Sequence, residues 1–425
     1  MKHFLKNLLF AKVILLTIII LQPDTTFSQW TITSSGFPSG TFALNSAVQG
    51  NNIYAGVNNG ILVSDNISTI WTRILSNTGY INAITFNGNY IFAGSGGNGI
   101  YISSNGGTNW ITSLSSSIWS LSSSAGNVYA VVFADRVFKT TNNGELWQPV
   151  SPGGNVRCVA ADEPRVYAGF YNYTSGGNGG VYVSVNSGVN WTRTFADINI
   201  YSIAFKNEYV YAGATDDTSR SGGLYFSTDY GIHWSRSMLD SISVKALCTY
   251  ENYVFAGVDN SFYPGFTEYA GFWVSADRGQ TWDKNNVGLP FSNSAVSSIS
   301  VMDNNLYVVA SDGGLWKRPV SQVIGVKNIS SEIPSEFKLM QNYPNPFNPK
   351  TIINYQLSMF NFVSLKVFDV AGKEVAVLVN EKQSATGGPG TYQVEFDGSN
   401  LTSGVYFYKL TAGEFTVTKR MVLVK

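Results

Sequence analysis

"ISSNGGTNW" (residues 102–110) sets an asparagine two residues before one glycine and five before a tryptophan, and the same frame returns along the chain. "KTTNNGELW" (139–147), "VSVNSGVNW" (183–191), "FSTDYGIHW" (226–234) and "VSADRGQTW" (274–282) repeat it: Ser/Thr, any residue, Asn/Asp, any residue, Gly, any two, Trp. "VSDNISTIW" (63–71) is a degenerate copy with Ser68 in the glycine position. The Asn/Asp side chain is expected to accept a hydrogen bond from backbone two residues ahead, closing an Asx-type turn. The glycine is expected at positive φ. The tryptophan opens the next strand and buries its ring between neighbouring units. Asn66, Asn105, Asn142, Asn186, Asp229 and Asp277 are therefore turn formers before they are anything else.

Trp30 to Trp282 spans 252 residues over six intervals, a mean of 42. A period near 40 with several short strands per unit is the signature of a β-propeller. Upstream of the boxes a second element recurs seven times: "NIYAG" (from Asn52), "YIFAG" (Tyr90), "NVYAV" (Asn127), "RVYAG" (Arg165), "YVYAG" (Tyr209), "YVFAG" (Tyr253) and "NLYVV" (Asn305). Six boxes follow these seven strands, and the seventh unit ends in "GGLWKRPVS" (313–321) without a fourth strand of its own. "QWTITSSG" (29–36) matches the strand that follows each box tryptophan, so residues 30–35 are expected to pair beside residues 315–319 and complete a seventh blade. The fold class is thus all-β, a seven-bladed β-propeller over residues 29–320.

These boxes resemble the Asp-box, or BNR, repeat of sialidases, sortilin-type receptors, xyloglucanase-type glycosidases and the photosystem-II assembly factor. The resemblance covers roughly residues 30–320. It implies the propeller fold and leaves function open, because that family mixes enzymes with pure binders.

Composition narrows the partners. Lys plus Arg equals Asp plus Glu at 27 each, and only 13% of residues are charged, so the chain has no electrostatic footprint for nucleic acid or an anionic membrane. The N-terminus carries Lys2, Lys6 and Lys12, then a nine-residue apolar run, Val13 through Leu21, then Pro23 and small residues before Gln29. That is a secretory signal peptide over residues 1–28, and its apolar run is too short to span a bilayer. No other stretch approaches transmembrane length. With His3 removed, His233 is the only imidazole, which excludes a His-rich zinc site; no metal or other cofactor is expected. Cys158 and Cys248 fall in equivalent first strands of non-adjacent repeats and are expected as buried free thiols.

The candidate site comes from loop lengths. From the Gly of "YAG", or its equivalent, to the Ser/Thr of the box is 8 or 9 residues in blades 1–3 and 9 in blade 7, but 15, 14 and 18 in blades 4, 5 and 6. Three consecutive blades carry enlarged loops on the face opposite the boxes. They contribute Tyr171, Tyr173, Asp216, Asp217, Arg220, Asp259, Tyr263, Glu268 and Tyr269 as candidate ligand-binding residues, since aromatics beside carboxylates and amides suit sugar or protein surfaces. The bland alternative is that long loops pack on one another. No catalytic residue is assigned. A glycoside hydrolase would need a carboxylate pair there, from Asp216 or Asp217 with Asp259 or Glu268. No Arg-Ile-Pro element occurs and the first blade offers only Arg73, which departs from the sialidase pattern.

Residues 321–336 read as a polar linker, and residues 337–425 alternate apolar and polar residues as a small β-sandwich of Ig-like type. "NYPNPFNPKT" (342–351) holds three prolines and reads as a rigid, extended lead-in. "FKLMQNYPNPFNPKTIINYQL", "LKVFDVAGKEVAVLVN", "GTYQVEFDGSNLTSGVYFYKL" and the terminal "KRMVLVK" resemble the type A C-terminal sorting domain of the Bacteroidetes type IX secretion system. The resemblance implies that the partners of residues 337–425 are the type IX translocon and sorting machinery, and that the propeller is cargo delivered through periplasm and outer membrane to the cell surface or beyond. The expected role is non-catalytic binding of a polysaccharide or a surface protein, with the glycoside hydrolase as the alternative.

Overall fold

A computed structural model of the protein describes residues 30–425, except 66–69, 173–176, 216–221, 241, 260–268, 287, 291–294, 304, 321–322, 324–325, 331–333, 359–361, 383–389 and 400. The signal-peptide expectation lies outside the described residues, as do Asn66 and Ser68 of the degenerate box. Seven four-stranded antiparallel sheets follow one another as blades of a propeller. Blades 1 to 6 span residues 43–75, 81–113, 118–149, 156–196, 199–240 and 244–284. Blade 7 takes three strands from residues 296–319 and its fourth from Thr31–Ile32. Thr31 pairs with Lys317 and Ile32 with Trp316, and the Thr33 N–H donates to the Leu315 carbonyl at 2.8 Å. The ring closes where the strand count required it, and closure gives blade 7 the same four strands as the others.

The second strand of every blade is buried along nearly its whole length, which explains the "YAG" runs. A Cβ on Gly94 would lie 2.5 Å from Ile118 of the next blade. One on Gly169 would meet Cys158 at 2.5 Å and Ile200 of the next blade at 2.6 Å. Glycine here is a requirement of close packing between and within blades.

The boxes fold as hairpins with a detail the sequence reading missed. Asn105 Oδ1 accepts from the Asn109 N–H at 2.9 Å, four residues ahead, and Asp229 Oδ1 accepts from Ile232 and His233 at 3.1 and 2.9 Å. The N–H two residues ahead, Gly107, donates instead to Ser103 Oγ at 2.9 Å. The reason is that two successive residues turn left-handed, Gly106 at φ 68° with Gly107 at 90°, or Tyr230 at 61° with Gly231 at 84°. The chain reverses one step later than a simple Asx turn. The expected positive-φ glycine is present in each described box.

Each tryptophan latches its blade to the one before. Trp110 Nε1 donates to Ile74 O at 2.8 Å, Trp147 to Ser113 Oγ at 3.1 Å, Trp191 to Val150 O at 2.6 Å, Trp234 to Thr194 Oγ1 at 3.2 Å and Trp282 to Ser237 Oγ at 2.8 Å. Trp71 donates to Thr33 O and Trp30 to Asn285 O, both at 2.9 Å, so the series continues across the seam. Each bond contributes about 1 kcal/mol net, and the buried indole area contributes more. Glu163, at the junction of blades 3 and 4, gathers a polar cluster on the same side. It accepts from Asn127 Nδ2 at 2.7 Å, Lys139 Nζ at 3.4 Å, and the hydroxyls of Tyr129 and Ser187. Burial pushes this carboxyl up, but bonds from Ser187, Tyr129 and Asn127 and the Lys139 charge outweigh it and hold it below the usual range.

The tail is a two-sheet sandwich. Its first strand was not expected: Val326–Ser330, inside the segment read as a linker, pairs antiparallel with Gly390–Asp397. Backbone ladders need no apolar alternation at a sheet edge, so "VKNIS" gave no strand signal. The proline-rich stretch is bent rather than extended, turning back so that Tyr343 pairs antiparallel with Ile352, and it is part of the sandwich rather than a lead-in. Asn342, Phe347 and Thr351 are its buried residues, at 2%, 2% and 1% exposed. The Asn342 N–H donates to Tyr408 Oη at 2.8 Å, and its amide donates to Thr351 Oγ1 at 2.9 Å and Pro344 O at 3.1 Å. Phe347 exchanges backbone bonds with the last strand, to Val422 O and from the Val424 N–H, both 2.9 Å. Prolines occupy positions whose missing N–H costs no ladder bond.

Candidate ligand-binding face

The enlarged connections join Phe170 to Gly180, Thr215 to Gly223 and Val258 to Gly271, opposite the box hairpins. Tyr173, Asp216, Asp217, Arg220, Tyr263 and Glu268 lie outside the described residues. Tyr171 is tied at its base, N–H to Asn155 O at 2.7 Å, and presents its ring edge-on to Tyr201 at 6.4 Å. Asp259 is tied by its N–H to Ser243 O at 2.9 Å, and its carboxylate accepts from Lys245 Nζ at 2.6 Å. Tyr269 is 39% exposed, and its carbonyl accepts from Trp273 Nε1 at 2.9 Å. Tyr171 and Asp259 belong to one cluster through Tyr201 and Lys245, whose Nζ lies 5.3 Å from the Tyr201 ring.

Tyr201 and Lys245 were missed from sequence, and they belong to a sevenfold feature. The first strand of every blade carries a β-bulge where it leaves this face: the register shifts between Ala43 and Asn45, Ile81 and Ala83, Ile118 and Ser120, Val156 and Cys158, Ile200 and Ser202, Val244 and Ala246, and Val296 and Ser298. A bulge leaves one residue out of the ladder and re-aims its side chain. Those residues are Leu44, Asn82, Trp119, Arg157, Tyr201, Lys245 and Ser297. In blades 3 to 6 they form one stack. The Phe133 ring lies parallel to Trp119 at 4.8 Å; the Arg157 guanidinium sits 3.3 Å from the Trp119 centroid and 4.0 Å from that of Tyr201, to whose hydroxyl it also donates. Lys245 and Asp259 complete the row. Cation–aromatic contacts of this kind contribute about 0.5–2 kcal/mol each and hold planar groups rigid. Aligning the seven first strands on their buried Ile/Val would have exposed the pattern.

Other chemistry is sparse. No group of three or more His, Cys, Asp or Glu able to hold a metal occurs among the described residues. His233 is exposed on the opposite face, its Nδ1 2.6 Å from Asp229 Oδ2. Both cysteines are free; Cys158 is buried and Cys248 half-buried, and burial pushes each thiol up to about 12. Thiols held that high are poor nucleophiles at neutral pH. No helix among the described residues is long and apolar enough to cross a membrane.

The tail is decided by a family match that begins one residue before the buried Asn342 and runs to the last residue. Residues 341–425 are a secretion system C-terminal sorting domain. The sorting domain marks the chain for export to the cell surface or beyond. No curated protein matches the chain. Among solved structures, the extracellular domain of the hybrid two component system BT4673 from B. thetaiotaomicron is similar with a TM-score of 0.52 at 13% identity, over 83% of this chain and 47% of that one. The chain therefore spans about half the length of that protein, and the likeness is one of fold. BamB from Moraxella catarrhalis aligns with a TM-score of 0.44 at 14% identity, over 68% of this chain and 97% of its own.

Proposed function

We propose that this is a propeller cargo of type IX secretion that binds an extracellular glycan without turning it over. The blades are the Asp-box type that their boxes resemble, residues 1–28 are the signal peptide, and the sorting domain is the address. The observation that supports binding is the stack of Trp119, Arg157, Tyr201 and Lys245 at the bulges of blades 3 to 6. The same bulge positions in blades 1, 2 and 7 hold Leu44, Asn82 and Ser297, so the ring itself does not demand aromatic and cationic groups there. Rigid aromatics with hydroxyls and amides between them recognise sugars by stacking and hydrogen bonds.

Hydrolysis has less support. Of the carboxylates that would serve it, Asp259 is engaged by Lys245 at 2.6 Å and anchors its loop to the first strand of its own blade. A glycan array and a polysaccharide pull-down on the full mature chain test the reading. Retention of a glycan with no reducing ends released supports it; release of reducing ends that Asp259→Asn or Glu268→Gln abolishes in a folded protein would replace it with the glycosidase.

A further inference from the structure

Blades 1 to 3 carry short loops on this face, and there the surface residues are aromatic. Phe42, Tyr80 and Phe133 are 38%, 55% and 45% exposed. Phe42 and Tyr80 lie side by side, and a chain of hydrogen bonds joins Tyr80 to Phe133. The rings of Phe42 and Tyr80 lie 6.2 Å apart. The Tyr80 carbonyl accepts from the Gly96 N–H at 2.9 Å, the Gly96 carbonyl from Ser117 Oγ at 2.8 Å, and the Ser117 carbonyl from the Phe133 N–H at 2.9 Å. Phe133 is backed by Trp119 and Arg157, so its ring is held before any ligand arrives. Only two residues link second to third strand in blade 1, and in blade 2 the turn is tied down, with Ser95 Oγ and Asn98 Nδ2 both bonded to Thr78 O. The short connections of blades 1 to 3 therefore carry an aromatic shelf.

The charge around the shelf is spent internally. Arg73 donates to Asn59 O and to Thr41 Oγ1, and Asp135 and Arg136 pair with each other at 2.8 Å. Asp312, next to the Gly313 that packs on Phe42, accepts from the Gly314 N–H at 2.9 Å and Trp316 Nε1 at 3.4 Å. The other polar groups of these connections are amides and a hydroxyl: Asn58, Asn59, Asn98 and Ser117. The opposite face differs. Its exposed apolar residues at the hairpins are aliphatic (Ile70, Leu146, Val189 and Ile232), and the ring of its Tyr230 is covered by Arg165 at 3.9 Å.

We infer that the shelf of Phe42, Tyr80 and Phe133 is a binding subsite for a neutral polysaccharide chain. The faces of aromatic rings are electron-rich and attract the weakly positive C–H face of a pyranose, which also leaves water on contact. Amides and hydroxyls of these connections meet the sugar hydroxyls, and charges already paired or bonded within the blades favour an uncharged chain. This deepens the glycan-binding reading and rests on it.

The test is affinity electrophoresis of the full mature chain in gels containing xyloglucan, galactomannan, laminarin or, as the acidic contrast, polygalacturonate. At least one neutral polymer should retard the wild type. Tyr80→Ala and Phe133→Ala should each weaken that retention about ten-fold, the change expected when a stacking ring is removed. Tyr80 lies outside the Trp119 stack, so its variant separates recognition from loss of the stack, and unchanged melting curves confirm that both variants fold. Retention unaffected by either change overturns the shelf while the binder stands. Retention by polygalacturonate alone also overturns the shelf. Retention by no polymer overturns the shelf and the glycan reading together.

Discussion

Two asparagines, Asn105 in a box hairpin and Asn342 in the sorting domain, do similar physical jobs in very different settings. Each organises a local reversal with its side-chain amide. Asn105 belongs to a pattern written again in the other blades, in a hairpin that faces water. Asn342 is used once, is 2% exposed, and connects Tyr408, Thr351 and Pro344 in the sandwich core. The difference teaches where damage spreads. In the ring, the loss of one box leaves its neighbours intact, whereas the sandwich has no second copy of what Asn342 joins.

The largest expected break in that comparison is functional. Removing residues 326–425, beyond the Val323 that packs in the core with Trp30, should leave the ring folded yet abolish delivery, with the cargo held in the periplasm by fractionation and absent from the surface. Surface levels like those of the intact chain would separate the tail from its address role. The next effect is at the seam, where the ring behaves least like a repeat. Trp30→Ala removes a fully buried indole packed at 5.0 Å on Phe272 and should destabilise the propeller by about 3–5 kcal/mol in chemical denaturation.

Asn342→Ala should cost the sandwich about 1–3 kcal/mol, because Thr351 Oγ1 and the Pro344 carbonyl lose the buried side-chain amide that donates to them. Asn105→Ala should cost less, about 0.5–1.5 kcal/mol, because water reaches the freed N–H of Asn109. Equal costs at the two sites would erase the distinction drawn here. The smallest effect is the pH response of Glu163. Its folded value is depressed, so its contribution is present above the ordinary glutamate value of 4.5 and is lost as pH falls below that through the folded value. Glu163→Gln should therefore flatten the acid limb of the melting curve, and an unchanged limb would assign acid sensitivity elsewhere.

Repetition is also why so much was legible. Seven "YAG"-type strands against six boxes fixed the blade count and the role of Trp30 before any coordinates, because a closed ring has to balance its strands. Hairpin chemistry was legible to within one hydrogen bond; the left-handed pair at residues such as Gly106 and Gly107 decides which N–H the Asn receives, and residue names state that weakly. The bulge residues were not legible one blade at a time. "IWS", "VRC" and "IYS" look like ordinary strand starts, and the extra residue is a property of pairing with the next strand. Nor was Val326–Ser330, whose strand character comes from its partner. Loop length pointed to half of the proposed binding face and passed over Phe42, Tyr80 and Phe133, which sit on short connections.

The clasp at blade 7 also sets an order of events. Thr31 pairs with Lys317, so the earliest described strand waits for nearly three hundred residues before it finds its partner. Contacts so distant along the chain form late, after local hairpins have already assembled. An emerging chain is therefore an open arc of finished blades with an unfastened first strand. The fastening lies within a single blade, where its strength is a matter of four strands in register rather than of the covalent thread. A circular permutant that begins at Trp191, ahead of the fourth strand of blade 4, with residue 320 joined to residue 30, should build the same ring with its clasp moved to that blade.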